Sequence, residues 1–197
     1  MLPNIPQFGV TMAAVLRAGY TCVNVNPLYT ARELEHQLKD SGATAIVILE
    51  NFAHTLAEVI EHTPIQHVCI ASMGDMLGAW YGRWITFAVR HLAKMVPPYA
   101  LPLTGGRQVT PFKKALALGR ARRLQPSQAT HDSIAFLQYT GGTTGLSKGA
   151  VLTHRNIIAA TLQAEAWFTP ALAKIGDLSK ANSIAALPLY HIFALTL

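Results

Sequence analysis

Residues 139–150 of this 197-residue chain read YTGGTTGLSKGA, and this stretch determines how the rest of the sequence is interpreted. It follows the apolar run IAFL at 134–137, which predicts a buried β-strand. Three glycines within five residues allow backbone N–H groups to approach a ligand closely. Threonine hydroxyls add further donors, and Lys148 is the only formal charge in the stretch. The pattern predicts a loop that binds a polyphosphate, and residues 139–150 are called the phosphate loop below.

Two other interpretations of this stretch compete with phosphate binding. A flexible connection would account for the glycines, but not for three threonines and a lysine placed among them. The P-loop of nucleoside triphosphatases requires the pattern G-x-x-x-x-G-K-[ST]. Ser147 stands where that pattern has its last glycine, and Gly149 stands where it has Ser or Thr. The sequence therefore disfavours a P-loop kinase or GTPase.

The phosphate loop resembles that of the adenylate-forming enzymes, which include acyl-CoA synthetases, luciferases and the adenylation domains of peptide synthetases. Their pattern is close to [YF]-[TS]-[SG]-G-[ST]-T-G-x-x-K-G, and residues 139–149 fit it throughout. The resemblance implies an α/β fold of parallel-sheet layers flanked by helices, within a large N-terminal domain. It also implies that the nucleotide-binding residues are Tyr139, Thr140, Gly141, Gly142, Thr143, Thr144, Gly145, Leu146, Ser147, Lys148, Gly149 and Ala150.

The same resemblance implies a two-step ligase reaction of fatty acid metabolism. A fatty carboxylate attacks the α-phosphorus of ATP to give acyl-adenylate and pyrophosphate, and the thiolate of CoA then displaces AMP. Charge that builds on the pyrophosphate must be neutralised in the first step. By family position Thr144 would also contact Mg²⁺, and Lys148 would attract the β- and γ-phosphates. The expected ligands are therefore a long-chain fatty acid, ATP, Mg²⁺ and CoA.

Two further segments resemble bacterial long-chain fatty-acid–CoA ligases. Residues 24–43 read NVNPLYTARELEHQLKDSGA, and we interpret them as a loop and helix that support the sheet without a catalytic role. Residues 188–193 read PLYHIF and resemble the family segment PL[YF]H[IV]F. In the family, this segment borders the acyl and adenylate site. His191 is therefore a candidate catalytic-site residue, with a core histidine at a strand end as the alternative.

Residues 1–75 alternate between helical and strand patterns, which predicts a parallel sheet with helices packed on it. Within this region Thr30 and Glu33 form a capping-box pattern, which opens a helix predicted to end near Gly42. Asn51 is a candidate cap for the following helix. These local signals support the α/β fold class independently of the phosphate loop.

A basic segment occupies residues 76–123. No acidic residue lies between Asp75 and Asp132, whereas nine lysines and arginines do, in a chain whose net charge is +6. Such a block calls for an anionic partner or a solvated face. No recognised nucleic-acid-binding module accompanies the charge, so no nucleic-acid partner is expected.

Within the basic segment, residues 76–96 predict an amphipathic helix. On a helical wheel Arg83, Arg90 and Lys94 cluster opposite an apolar, aromatic-rich side. The pattern is typical of a helix that lies on an anionic membrane, and an ordinary surface helix shares it. Both interpretations stay open at the level of sequence.

The composition indicates an ordered protein of the cytoplasm, with peripheral contact at the inner membrane as an option. Hydrophobic residues make up 51% of the chain, which is ample for a core. The apolar run AIVIL at 45–49 is as long as any and far too short to span a bilayer. Cys22 and Cys69 lie in separate apolar runs, which suits reduced thiols. A homodimer is one open possibility for the oligomeric state.

The resemblance covers essentially the whole chain and predicts that residues 1–197 are a partial N-terminal AMP-binding domain, with the small C-terminal domain absent. The family's YG-x-TE and YRTGD-type segments and its late catalytic lysine do not occur in this sequence. We therefore expect a fragment of an acid–thiol ligase that is inactive alone. A nucleotide- or membrane-binding remnant without catalysis is the alternative.

Overall fold

The computed structural model of the protein describes residues 1–141, 146–174, 184 and 186–195. Its helices are Pro6–Arg17 (α1), Ala31–Ser41 (α2), Ala53–Val59 (α3), Trp80–Phe87 (α4), Phe112–Arg120 (α5), His154–Leu172 (α6) and Ile192–Leu195 (α7). Its strands are Cys22–Asn24 (β1), Ala45–Leu49 (β2), His67–Ala71 (β3), Gln108–Pro111 (β4), Ile134–Thr140 (β5) and Lys148–Thr153 (β6). They form two sheets, ordered β1-β5-β6 and β2-β3-β4. The predicted α/β fold is confirmed.

The β2-β3-β4 sheet is parallel throughout and carries helices on both faces. Its register pairs Ile46 with Val68 and Val68 with Val109. Successive residues of a strand point to opposite faces, so Ile48 packs in one core cluster and Leu49 in the other. Helices α2 and α3 contribute to the first cluster, and α1 and α5 contribute to the second. Burial on both faces explains the continuous apolar run of β2.

The second sheet contains the strand that was predicted before the phosphate loop. β5 is parallel to β1, with Val23 opposite Leu137, and antiparallel to β6, with Thr140 opposite Lys148. The prediction of parallel layers therefore holds for β1 and β5 but not for β6. The physical reason is the short loop, which returns the chain directly beside β5. A parallel partner would need a crossover of about a dozen residues or more.

The helix predicted over residues 76–96 is shorter than expected. α4 ends at Phe87 and continues as a π-helical turn, Ala88–Leu92. Lys94 then has a φ of 50°, which lies outside the right-handed helical region. The three basic residues therefore do not share one regular helical face. No helix in the described part of the chain is long and apolar enough to cross a membrane.

The carboxyl end of β2 explains the position of Arg90. Glu50 follows β2, is 1% exposed, and accepts a hydrogen bond from Nε of Arg90 at 2.9 Å. Arg90 also donates to the hydroxyl of Ser72 at 3.2 Å. A buried carboxylate needs such a partner, so Arg90 belongs to the fold and not to a free basic face. Asn51 does not cap α3 as predicted, because it lies inside a 3₁₀ turn, Glu50–Phe52, and Phe52 occupies the N-cap position. The amide of Asn51 donates to the carbonyl of Met95 at 2.9 Å.

Candidate phosphate-binding site

The phosphate loop leaves the carboxyl end of β5 and enters β6, beside the carboxyl end of the parallel strand β1. This edge of a parallel arrangement is where α/β proteins bind ligands. Its described residues Thr140, Gly141, Leu146 and Lys148 are all exposed. A Cβ built on Gly141 would meet no other described atom within 4 Å. The described residues at both ends of the loop are therefore accessible to a ligand.

The predicted site includes four residues that the structure does not describe. Gly142, Thr143, Thr144 and Gly145 lie outside the described residues. Their assignment to phosphate, and that of Thr144 to Mg²⁺, stays a prediction from the sequence.

Tyr139 joins the start of the phosphate loop to α2 and β6. Its buried side chain donates a hydrogen bond from Oη to Oδ2 of Asp40 at 2.5 Å. A Cβ built on Gly149 would lie 3.0 Å from the Tyr139 ring, so the ring packs directly on that glycine. Burial raises the pKa of Tyr139, and the hydrogen bond to Asp40 and its charge raise it further. The hydroxyl therefore remains a donor at neutral pH.

The end of the phosphate loop also contacts α2. Nε2 of His36 lies 3.0 Å from the carbonyl oxygen of Ser147. Because a carbonyl only accepts, this ring nitrogen must carry the proton. Burial raises the pKa of Tyr29, the carboxylate of Glu33 raises it further, and a hydrogen bond with the Ser147 side chain partly offsets both. Residues of the 24–43 segment therefore contact the loop as well as the sheet.

Sequence reasoning missed His36 and Asp40 as neighbours of the phosphate loop. The signal available was their spacing, since polar residues four apart lie on one face of a helix. That face lies on the side of α2 roughly opposite the core-facing Leu34 and Leu38. The spacing identifies a polar stripe, but which partner the stripe contacts depends on how β5 and β6 pack against α2.

The PLYHIF segment lies next to the same sheet edge. Gln138 on β5 accepts a hydrogen bond from Asn24 at 3.3 Å and donates one to the carbonyl of Tyr190 at 3.1 Å. Asn4 donates to the carbonyl of Leu187 at 2.8 Å. These contacts bring His191, which is exposed, to the side of the sheet from which the phosphate loop leaves. The assignment of His191 to the catalytic site stays a prediction from the sequence.

The side chains near the phosphate loop determine which ligands the protein could offer to Mg²⁺. Among the described residues, no group of three or more His, Cys, Asp or Glu side chains is arranged to hold a metal ion. Mg²⁺ in nucleotide sites is commonly bound by one or two protein oxygens, with phosphate oxygens and water completing the octahedron. The oxygen donors that the sequence of the phosphate loop offers include threonine and serine hydroxyls, and the assignment of Thr144 to Mg²⁺ stays a prediction.

The described ends of the phosphate loop lie at the carboxyl edge of a sheet in an α/β fold, a position where such folds bind ligands. A comparison with models of protein families identifies the family. The model of the family described as AMP-binding enzyme matches residues 1–197, and the chain belongs to that family.

The chain is also similar to individual proteins. It is 48% identical to a long-chain-fatty-acid–CoA ligase of Salmonella typhimurium, an alignment that covers 100% of this chain and 34% of the ligase. The chain thus spans about a third of the length of the curated relatives it matches.

Two solved structures share the fold. A long-chain-fatty-acid-CoA ligase from Archaeoglobus fulgidus has a TM-score of 0.60 at 21% identity, covering 98% of this chain and 30% of that one. The A-PCP didomain of a carboxylic acid reductase from Segniliparus rugosus, in complex with AMP, has a TM-score of 0.56 at 21% identity. That alignment covers 78% of this chain and 21% of the reductase chain.

Proposed function

We propose that this chain supplies the triphosphate-binding part of an acid–thiol ligase, which activates a long-chain fatty acid with ATP and transfers the acyl group to CoA. The observation that carries the proposal is the position of the phosphate loop, whose described ends include exposed residues at the carboxyl edge of β1 and β5, in a chain 48% identical to the Salmonella typhimurium ligase. The AMP complex of the structurally similar carboxylic acid reductase supports an adenine nucleotide as the ligand.

In this proposal the loop neutralises the charge that develops on pyrophosphate as it leaves. Lys148 is exposed at the first residue of β6, and in this proposal its ammonium group attracts the β- and γ-phosphates. Thr140 would add a hydroxyl donor, and Gly141, which is exposed, would add a backbone N–H. Donors aimed at developing charge lower the barrier because they need no reorganisation during the reaction.

The remaining assignments complete the same site. Thr143 and the glycines at 142 and 145 would add donors to the phosphates, and Thr144 would give Mg²⁺ a hydroxyl ligand beside phosphate oxygens and water. His191 would border the acyl and adenylate groups, supported by the hydrogen bond that holds the neighbouring Tyr190 carbonyl to Gln138. CoA enters as the second substrate.

The experiment uses a chimera in which these 197 residues replace the matching segment of the Salmonella typhimurium ligase. Lys148→Ala removes a charged donor, a loss of about 1.5–3 kcal/mol. We expect ATP–pyrophosphate exchange at low ATP to fall roughly 10- to 150-fold. Lys39→Ala is the matched control, because Lys39 is exposed on α2 and pairs with Glu35.

Three outcomes distinguish the candidate functions. Loss of exchange in Lys148→Ala but not in Lys39→Ala supports the ligase. Equal exchange in both variants and the parent removes the phosphate assignment. A parent chimera that binds ATP without exchange favours the alternative, a nucleotide-binding remnant without catalysis.

We further propose peripheral contact with anionic membrane at the cytoplasmic face of the inner membrane. The side chains of Trp80, Trp84 and Phe87 are 82%, 58% and 48% exposed. Arg83 lies over the Trp80 ring, 4.8 Å from its centroid. Exposed aromatic rings beside cations match the boundary between lipid headgroups and acyl chains.

A further inference from the structure

The two described ends of the phosphate loop are attached to one face of α2. At the start of the loop, Tyr139 donates to the carboxylate of Asp40 at 2.5 Å. At its end, His36 donates to the carbonyl of Ser147 at 3.0 Å. His36 and Asp40 are four residues apart, so they lie about one turn apart on the same side of the helix.

α2 is itself firmly held. Its first turn has a capping box, in which the Thr30 backbone N–H donates to Glu33 at 2.8 Å. Its end is capped by Gly42 in the left-handed conformation, with φ 63°. Leu34 and Leu38 are 0% and 1% exposed in the core. The helix therefore offers the loop a support whose position the core determines.

The contact at Ser147 also determines the orientation of the peptide group that joins Ser147 to Lys148. A trans peptide is planar, and its C=O and N–H point in opposite directions. Because the Ser147 carbonyl points at His36, the Lys148 N–H points away from α2. His36 therefore helps to set the direction in which the Lys148 backbone enters the site, although it lies on a different element.

We propose that His36 and Asp40 are positioning residues, which hold the ends of the phosphate loop at the separation that the triphosphate of ATP requires. The inference rests on the proposed function. His36 acts through Ser147 and Lys148, and Asp40 acts through Tyr139. When a group that binds the substrate is slightly displaced, catalysis weakens considerably, because the contribution of such a group depends on its geometry.

The first test measures two Michaelis constants in the chimera. His36→Ala should raise KM for ATP about five- to tenfold, the effect of one lost hydrogen bond, and leave KM for the fatty acid unchanged. His36→Gln should stay within about twofold of the parent, because its amide N–H can still donate to the Ser147 carbonyl. A purely structural defect would reduce the amount of active enzyme and lower kcat without this split.

The second test addresses the other end of the loop. Asp40→Ala should raise KM for ATP in the same way, whereas Asp40→Asn keeps a carbonyl oxygen that accepts from Tyr139. Tyr139→Phe removes the hydroxyl that donates to Asp40 and keeps the ring on Gly149. This variant replaces Asp40→Ala in the test if the alanine variant fails to fold. Lys39→Ala again serves as the control on the same helix.

The outcomes separate this inference from the proposed function. If Lys148→Ala loses exchange while the His36 and Asp40 variants and Tyr139→Phe keep the parent KM for ATP, the positioning role is wrong and the ligase assignment stands. If the parent chimera shows no exchange, both fail. A rise in KM for ATP in the alanine variants, reversed in His36→Gln and Asp40→Asn, supports the positioning role.

Discussion

The ring of Tyr139 lies against Gly149 on the neighbouring strand β6. A Cβ at position 149 would lie 3.0 Å from the ring, closer than side chains normally pack. The ring has little freedom to move because its hydroxyl donates to Asp40. Gly149 is therefore required by a close approach within the hairpin that carries the phosphate loop.

Gly149→Ala should destabilise the chimera by about 1–3 kcal/mol, the usual cost of overpacking. Thermal unfolding measures the loss as a lower midpoint. Gly119→Ala is the matched control: a Cβ there meets no other described atom within 4 Å, and Gly119 lies inside α5. That change should stabilise by roughly 0.5–1 kcal/mol. If Gly149→Ala and the parent have the same midpoint of thermal unfolding, the Tyr139 ring can move away from position 149 without loss of stability.

At the scale of single residues, residue types and spacing identify 139–150 as a candidate phosphate loop, and the structure places its described residues at the end of β5 and the start of β6. It did not predict the partners of Tyr139 and Ser147. Those partners come from α2, about a hundred residues earlier in the chain, and depend on packing between elements. The hydrogen bond from Tyr139 to Asp40 joins residues 99 apart.

Among the elements, α4 is fixed to the protein body by contacts at both of its ends. The backbones of Gly74 and Gly82 approach so closely that a Cβ on Gly82 would lie 2.1 Å from the Gly74 carbonyl oxygen. Beyond the helix, Arg90 pairs with the buried Glu50. The exposed face with Trp80 and Trp84 is therefore held outward by the fold.

We expect this face to bind anionic membrane. Arg83→Glu with Lys94→Glu and Trp84→Ala should reduce sedimentation of the chimera with anionic vesicles at low salt by tenfold or more, since each basic residue near such a surface contributes about 1 kcal/mol. Arg90 is left unchanged because its loss would leave Glu50 unpaired.

The control for membrane binding reverses the same number of charges elsewhere. Arg120→Glu with Arg122→Glu changes two exposed basic residues outside α4 and should leave most of the binding intact. Equal sedimentation of all three proteins would contradict a role for α4. Equal loss in both variants would point to net charge alone.

Elements with local signals were predicted well. The capping box and Gly42 bound α2 as expected, since both signals act within one or two turns. β6 and the end of α4 were not predicted, because neighbouring elements decide them. β6 forms because β5 offers it an antiparallel partner, and the path beyond α4 follows the pairing of Arg90 with Glu50.

In the molecule as a whole, burial is uneven. The β2-β3-β4 sheet is covered by helices on both faces. By contrast α6, all of whose residues are described, contains no buried residue. Its apolar side chains Leu162 and Trp167 are 57% and 81% exposed. An exposed apolar face of this length favours association with other protein surface.

We therefore expect the 197-residue chain by itself to self-associate and to form no acyl-CoA from ATP, Mg²⁺, palmitate and CoA. It spans 34% of the Salmonella typhimurium ligase, so the orientation of the carboxylate against ATP would depend on the rest of such an enzyme. Orientation contributes about 7–11 kcal/mol to lowering a barrier, and phosphate binding alone does not replace it. The measurement combines light scattering with assays for AMP and acyl-CoA, on the isolated chain and on the chimera. A monomeric isolated chain with turnover near that of the chimera would show that the site is complete within these residues.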